Sequence, residues 1–287
     1  MGALAARQDW SGMWRFAWSH DRPNAENPGS VRMRYFDLAA DPTQRASERA
    51  TVALFLRGDM ASLPPGAAAP VVLDAEALRA GKGAAKRMGI PNDAPSGWEN
   101  RIGVALSGEG AADSRSPDLP GGPESASPPA GVALDPARGA FAVATERTAG
   151  GFAPEGDLSA GPVAFALDGA PAAVWATSVD GAPIASSSRL LVSHVTDSKN
   201  TGARFDDAGC RVWLDFGTTP VLARRGAASV SVAVAPGAWT VWRLSATGRR
   251  LETVPAAYDE ASGTLSVHAR TDYDPSAATF CYELVRE

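Results

Sequence analysis

Ser229-Val230-Ser231-Val232-Ala233-Val234 alternates valine with small residues, and a period of two is typical of a β-strand with one buried face. The same alternation recurs in a succession of short segments across residues 132–287. Turn signals such as Asp168-Gly169 and Asp180-Gly181 separate these segments. Many short strands with turns between them favour antiparallel sheets. The sequence therefore predicts a mainly β chain in which residues 132–287 form an antiparallel β-sandwich.

Residues 10–59 follow a different pattern. Aromatic residues alternate with others over residues 13–19, which predicts a short strand. The run Asp41-Pro42-Thr43-Gln44 predicts the start of a helix, with Asp41 as the capping side chain and Pro42 in the first turn. Gly58 predicts the end of that helix. We therefore expect residues 1–60 to form one short strand–helix (βα) unit ahead of the sandwich.

Residues 61–131 are expected to link these two parts. The alternation of apolar residues predicts short strands at residues 70–73 and 102–106. Residues 108–131 are rich in Gly, Ser, Pro, Ala and acidic residues, and almost no large apolar side chain is among them. Such a segment cannot bury enough apolar surface to offset the entropy lost on ordering. It is predicted to be a flexible surface loop.

The composition limits the classes of partner. The chain has 287 residues, of which 45% are hydrophobic, so it can bury a substantial core. Its net charge of −5 argues against nucleic acid, because no basic excess is present to neutralise phosphates. No apolar run reaches the length of a transmembrane helix, which argues against a membrane as partner.

The two cysteines, Cys210 and Cys281, have no further metal-ligating residues at close spacing, so we predict no metal site. No phosphate-cradling glycine loop is present, and no cofactor is predicted. A disulfide and two free thiols both fit the sequence, and the absence of a visible secretory leader favours free thiols. The sequence leaves the compartment undecided, with a secreted or periplasmic parent protein as one alternative.

Four segments carry a family resemblance: Asp9-Trp10-Ser11-Gly12, Phe16-Ala17-Trp18-Ser19-His20, Phe36-Asp37-Leu38-Ala39-Ala40-Asp41-Pro42 and Ala53-Leu54-Phe55-Leu56-Arg57-Gly58-Asp59. They resemble the last strand and helix of the catalytic (β/α)8 barrel in bacterial glycoside hydrolases of the β-galactosidase-like and cellulase-like families. Residues 188–205 are similar to a stretch of the β-rich region that follows the barrel in those enzymes. The resemblance implies an accessory, C-terminal β-sandwich region of a glycoside hydrolase, with a carbohydrate as its ligand.

The same resemblance implies that the chain does not cleave glycosides alone. In those enzymes the two catalytic carboxylates lie on earlier barrel strands, which would precede Met1. A single βα unit cannot close a barrel, so the apolar sides of Trp14, Phe16 and the predicted helix need a cover. The sandwich, a second copy of the chain or a preceding barrel domain would each supply one.

Trp18 and His20 lie at the C-terminal end of the predicted strand, where barrel enzymes place residues that contact the ligand. By resemblance, Trp18 corresponds to an aromatic residue of the eighth strand that faces the sugar. Its ring would stack on the C–H face of a pyranose. The alternative is a tryptophan of the core.

A second group of candidates is His194, Asp197 and Asn200, in the densest polar cluster of the chain. A functional interpretation places their side chains near the mouth of the barrel and in contact with the sugar. The alternative is a structural role for Asp197 and Asn200, whose side chains commonly bond the local backbone in turns.

Three other functions remain open at this stage. One is a purely structural or interaction module, which a large bare apolar patch in place of the barrel would favour. An independent carbohydrate-binding module would show an exposed, coplanar row of tryptophans, and Trp175, Trp213 and Trp242 are either such a platform or second-layer core. A self-sufficient glycoside hydrolase would show a cleft with two carboxyl groups about 5–9 Å apart.

Overall fold

The computed structural model describes residues 1–27, 30–64, 68–74, 96–99, 101–107 and 131–287. The structure is mainly β, with 42% strand, 13% helix and several antiparallel sheets, which confirms the predicted fold class. Of the predicted flexible loop, residues 108–130 lie outside the described residues. No described helix is long and apolar enough to cross a membrane.

The helical segments are α1 (Gly2–Arg7), α2 (Arg22–Glu26), α3 (Pro42–Thr51), a π-helical turn (Val52–Leu56) that continues α3, and α4 (Ser96–Glu99). The strands are β1 (Ala68–Asp74), β2 (Arg101–Ser107), β3 (Val132–Asp135), β4 (Ala140–Ala144), β5 (Thr148–Ala153), β6 (Gly156–Ala160), β7 (Val163–Asp168), β8 (Ala172–Ser178), β9 (Arg189–Val195), β10 (Ser198–Thr201), β11 (Arg204–Phe205), β12 (Trp213–Asp215), β13 (Thr218–Ala223), β14 (Ala227–Ala233), β15 (Trp239–Leu244), β16 (Arg250–Val254), β17 (Ala256–Asp259), β18 (Thr264–Arg270) and β19 (Cys281–Arg286).

Two antiparallel sheets make up most of the structure. One has eight strands in the order β16-β15-β19-β9-β8-β5-β4-β3, and the other has five in the order β17-β18-β14-β7-β6. The alternating pattern of the sequence sets their register, so that Val230 lies opposite Phe165 on one side and Val267 on the other. Strands β1 and β2 form a separate parallel pair and contain both short strands predicted between the two parts of the chain.

The main core lies between the two sheets. Phe165, Val230 and Leu265 of the five-stranded sheet belong to one buried cluster with Val192 and Leu284 of the eight-stranded sheet. Burying each such side chain contributes roughly 1.5–3 kcal/mol to folding. The apolar residues whose alternation predicts the sandwich over residues 132–287 are therefore the ones that stabilise it.

The helices α1 and α3, with the π-helical turn that continues α3, pack on the outer face of the eight-stranded sheet. Ala3, Ala50 and Leu54 pack into a second cluster with Val143 and Trp175 of that sheet. The helix α3 begins where the sequence predicts, since the Asp41 carboxylate accepts hydrogen bonds from the backbone N–H groups of Thr43 and Gln44, both at 3.0 Å. The sandwich itself thus covers the apolar side of this helix.

The strand predicted for residues 13–19 is wrong, because these residues have no regular secondary structure. Three backbone hydrogen bonds join them to residues 36–39: Ala17 N to Phe36 O at 2.9 Å, Leu38 N to Ala17 O at 3.0 Å and Ala39 N to Trp18 O at 3.0 Å. The side chain of Arg15 also forms an ion pair with Glu48 of α3. The alternation of aromatic residues implied one buried face, yet Trp14 is 87% exposed and Phe16 73% exposed. Without a sheet to pack on, the pattern does not produce a strand.

Candidate functional site

Two adjoining cavities lie where residues 20–44 meet the loops that follow β9. The aromatic pocket has a volume of about 300 Å³ and is lined by His20, Arg32, Arg34, Tyr35, Phe36, Asp37 and Phe216. The polar pocket has a volume of about 450 Å³, and its lining includes Arg34, Tyr35, Asp41, Gln44, Asp197, Lys199, Phe205, Cys210, Arg211 and Trp213. Arg34 and Tyr35 belong to both, so the two pockets share a wall.

Asn200 fixes that wall. Its side chain is buried and holds both backbone groups of Met33: Oδ1 accepts from Met33 N at 2.8 Å, and Nδ2 donates to Met33 O at 3.0 Å. The same Nδ2 donates to Phe216 O at 2.7 Å. Because Met33 is buried between the exposed Arg32 and Arg34, this clamp turns both arginines toward the pockets.

A buried carboxylate orients His20. Asp37 is almost fully buried, and its Oδ1 accepts a hydrogen bond from Nδ1–H of His20. Its Oδ2 accepts a hydrogen bond of 2.8 Å from Nδ2 of the buried Asn24. Burial raises the pKa of Asp37, but the hydrogen bonds from His20 and Asn24 outweigh this effect and leave the pKa below its usual value. An ionised Asp37 keeps the His20 proton on Nδ1, so Nε2 is the ring nitrogen that can bond a ligand.

Aromatic rings form the rest of the surface. Tyr35 meets Trp213 and Phe216 edge-on, with ring centroids 5.3 Å and 5.2 Å apart. Phe205 stacks on Trp213 with ring centroids 5.5 Å apart, and both line the polar pocket. Tyr35 and Phe36 are each more than half exposed, so their faces remain accessible to a ligand.

The polar pocket contains the ion pair between Asp197 and Lys199, whose Nζ lies 2.9 Å and 2.7 Å from the two carboxylate oxygens. The Asp197 carboxylate also accepts a hydrogen bond of 2.8 Å from the backbone N–H of Ser198. Asp197 thus forms the hydrogen bond to the local backbone that a structural role predicts, and its side chain also lines the polar pocket.

The structure places the five predicted site residues in different surroundings. His20 and Asp197 line the two pockets, and Asn200 supports the wall between them. Trp18 lies two residues before His20 and is half exposed, but it lines neither pocket. His194 lies apart from the others, fully buried in the sandwich, where it pairs with Val174 across the strands.

His194 has no hydrogen-bond partner for either ring nitrogen within the described part of the chain. Burial, with a smaller contribution from the charge of His268, lowers the pKa of His194 to about 4. It is a neutral core residue at physiological pH.

Sequence reasoning did not select Arg32, Arg34, Tyr35, Phe36 or Phe216 as site residues. The sequence contains part of a signal for these residues. Arg32 and Arg34 flank the apolar Met33, and two aromatic residues precede Asp37. The contact between Met33 and Asn200 spans 167 positions, and no local pattern shows it. The position of the wall therefore depends on the tertiary fold.

The described part of the chain shows neither a metal site nor an exposed row of Trp175, Trp213 and Trp242. Across the described ranges, no group of three or more His, Cys, Asp or Glu side chains could hold a metal ion. The predicted free thiols are confirmed, with Cys210 exposed and Cys281 buried. Trp175 is second-layer core beneath the helices, so it cannot form an exposed row with Trp213 and Trp242.

No protein-family model, curated protein or solved structure matches the chain. The geometry of the two pockets is therefore the basis on which a function is proposed.

Proposed function

We propose that the chain is the accessory β-sandwich region of a glycoside hydrolase and that it contributes a saccharide-binding surface. The observation that carries this proposal is the aromatic pocket, where exposed Tyr35 and Phe36 adjoin a histidine oriented by a buried carboxylate. The sequence resemblance of residues 9–59 to the end of a hydrolase barrel supports the same conclusion.

The chemistry of the pocket suits a sugar ring. An exposed aromatic face attracts the C–H face of a pyranose, while hydrogen-bonding groups at its edge meet the hydroxyls. Tyr35 and Phe36 provide the first kind of contact, and His20 Nε2 provides the second. The volume of about 300 Å³ is at the lower end of the range for small-molecule sites, which fits one or two sugar units.

The carboxylates that line the pockets support binding rather than cleavage. Asp37 is bonded by His20 and Asn24, Asp41 caps α3, and Asp197 is paired with Lys199. Glycoside cleavage needs one carboxyl group as acid and a second as base or nucleophile. The catalytic carboxylates would then lie on another part of the parent enzyme.

The exposed Trp14 and Phe16 support a protein partner as well as a saccharide. Phe16 lies beside the aromatic pocket, since its ring meets His20 edge-on with centroids 5.1 Å apart, and Trp14 is two residues away in the chain. A barrel domain of the parent enzyme is the cover that the resemblance implies, and a second copy of the chain is the alternative.

Calorimetric titration with a panel of neutral and acidic oligosaccharides tests the proposal. The variant Tyr35→Ala should lower the affinity for the best ligand by about tenfold, because it removes a stacking contact. Tyr35→Phe keeps the ring and should retain most of the affinity.

The control is Leu56→Ala, which truncates an exposed apolar side chain on the π-helical turn and should leave binding unchanged. Thermal unfolding checks that all three variants are folded. If no saccharide binds, or if Tyr35→Ala and Leu56→Ala bind equally well, the proposed function is wrong.

A further inference from the structure

We infer that the saccharide of these pockets is acidic: an oligosaccharide of uronic acid units whose carboxylates meet Arg32 and Arg34. This inference rests on the proposed function and adds the chemical class of the ligand. It comes from the charges around the two cavities.

Two guanidinium groups lie in the described lining of the aromatic pocket. They belong to Arg32 and Arg34, and among the lining residues that the structure describes the sole carboxylate is that of Asp37. Asp37 is almost completely buried, and both of its oxygens are engaged by His20 and Asn24. A ligand in this cavity therefore meets the two guanidinium groups and not the carboxylate.

Arg32 is positioned but not neutralised. Its Nη1 donates to the carbonyl oxygen of Gly217 at 2.9 Å, and its guanidinium carbon lies 5.5 Å from the centroid of the Phe216 ring. None of the ion pairs formed between described residues includes Arg32. The remaining N–H groups of its planar fork can therefore bond a carboxylate at two points.

Arg34 connects the two cavities. It forms an ion pair with Asp21, but both side chains are partly exposed, so an entering carboxylate can share the guanidinium. On the other side of this wall, Lys199 and Arg211 line the polar pocket. Lys199 is paired with Asp197, whereas Arg211 forms no ion pair with any described residue.

These cations stand out against the charge of the whole chain, which is −5. Four of them line the joined cavities: Arg32, Arg34, Lys199 and Arg211. A neutral sugar would leave Arg32 and Arg211, which form no ion pair with a described residue, without a counter-charge, whereas carboxylates spaced along an oligouronate would meet a cation in each pocket. Tyr35, between the pockets, provides a ring on which one sugar unit stacks.

The experiment uses pairs of ligands that differ only in charge: oligogalacturonate and oligoglucuronate, each compared with its methyl ester. Calorimetric titration at low salt should show that one acid binds about tenfold or more tightly than its ester, because charge-assisted bonds to arginine are lost in the ester. Raising the NaCl concentration should lower the affinity for the acid and leave the affinity for the ester unchanged.

Arg32→Gln should remove most of this preference, and Arg32→Lys should restore part of it, since lysine keeps the charge but not the planar fork. Arg249→Gln is the matched control, because Arg249 is exposed on a turn and lines neither pocket. Thermal unfolding of each variant separates loss of affinity from loss of fold.

Three results would overturn the inference. Equal binding of acid and ester would leave saccharide binding in place but remove the acidic class. Binding of acetate as tightly as the uronates would make the pockets a general anion site. No binding of any saccharide would overturn both this inference and the proposed function.

Discussion

His194 shows at the residue scale how the sandwich responds to pH. The ring is fully buried, and burial lowers its pKa from 6.5 to about 4. The unfolded chain, with the ordinary pKa, therefore binds a proton more readily than the folded chain. The contribution to stability is fully present above pH 6.5 and falls as the pH drops toward 4, by a total of about 3 kcal/mol.

We predict that His194→Leu removes this part of the acid sensitivity. The free energy of unfolding, measured by urea titration at pH 7 and pH 4.5, should differ less between the two pH values in the variant than in the natural chain. His268→Gln, at an exposed position of β18, is the control and should keep most of the sensitivity. An unchanged pH dependence in His194→Leu would show that His194 does not carry it.

Asp59 is a second residue whose surroundings predict a measurable effect. Its side chain is fully buried and accepts bonds of 2.9 Å from Arg57 Nε, 2.9 Å from Arg147 and 2.7 Å from the Thr148 hydroxyl. Asp59→Ala should cost about 2–3 kcal/mol, less than a fully buried pair because both arginines are about one-third exposed.

The matched control for Asp59 is Glu26→Gln, which breaks the exposed pair with Arg22 and should cost less than about 1 kcal/mol. Urea titration of both variants gives the comparison. Equal costs would mean that Asp59 is not the link between the end of the π-helical turn and β5.

At the scale of single elements, β5 depends on two glycines. Gly150 has φ +153°, and a Cβ added there would lie 2.1 Å from the carbonyl oxygen of Val174 on β8. At Gly151 an added Cβ would lie 1.9 Å from the carbonyl oxygen of Phe141 on β4. Both neighbours are backbone atoms of a central sheet, so they cannot move aside like a flexible side chain.

Gly150→Ala should therefore destabilise the fold by about 2 kcal/mol or more. Thermal unfolding measures the loss. Gly169→Ala is the control for backbone strain, because Gly169 also has positive φ but nothing lies within 4 Å of its added Cβ. A loss at Gly150 no larger than the loss at Gly169 would show that the close approach has no energetic effect.

The elements also show which parts of the structure the sequence could predict. The Val230–Val267 pairing follows from a period of two that each strand carries in its own residues. The helix α3 follows from a capping signal within four residues. Residues 13–19 had the same kind of period, yet nothing in the sequence shows whether a neighbouring sheet is present. A local pattern predicts an element well when the residues that bury or cap the element are close to it in the sequence or carry the same pattern.

At the scale of the whole molecule, the candidate site was predictable only in part. His20 and Asp197 were selected from their neighbours in the chain, and both line a cavity. His194 is only three residues before Asp197 and belongs to the core, because the end of β9 separates them. The shared wall of Arg34 and Tyr35 requires Asn200 to reach Met33 across the chain, which is a property of topology.

The packing of α1 and α3 on the eight-stranded sheet has a consequence for how this chain can be divided. Gly2 approaches Thr51 so closely that a Cβ on it would lie 2.7 Å from the Thr51 Cα, and Leu54 belongs to the same cluster as Val143 and Trp175. A truncated chain that starts at residue 61 would expose the side chains of Val143 and Trp175. This apolar surface would then promote association between chains. A fusion protein that includes this sandwich should therefore also include residues 1–60.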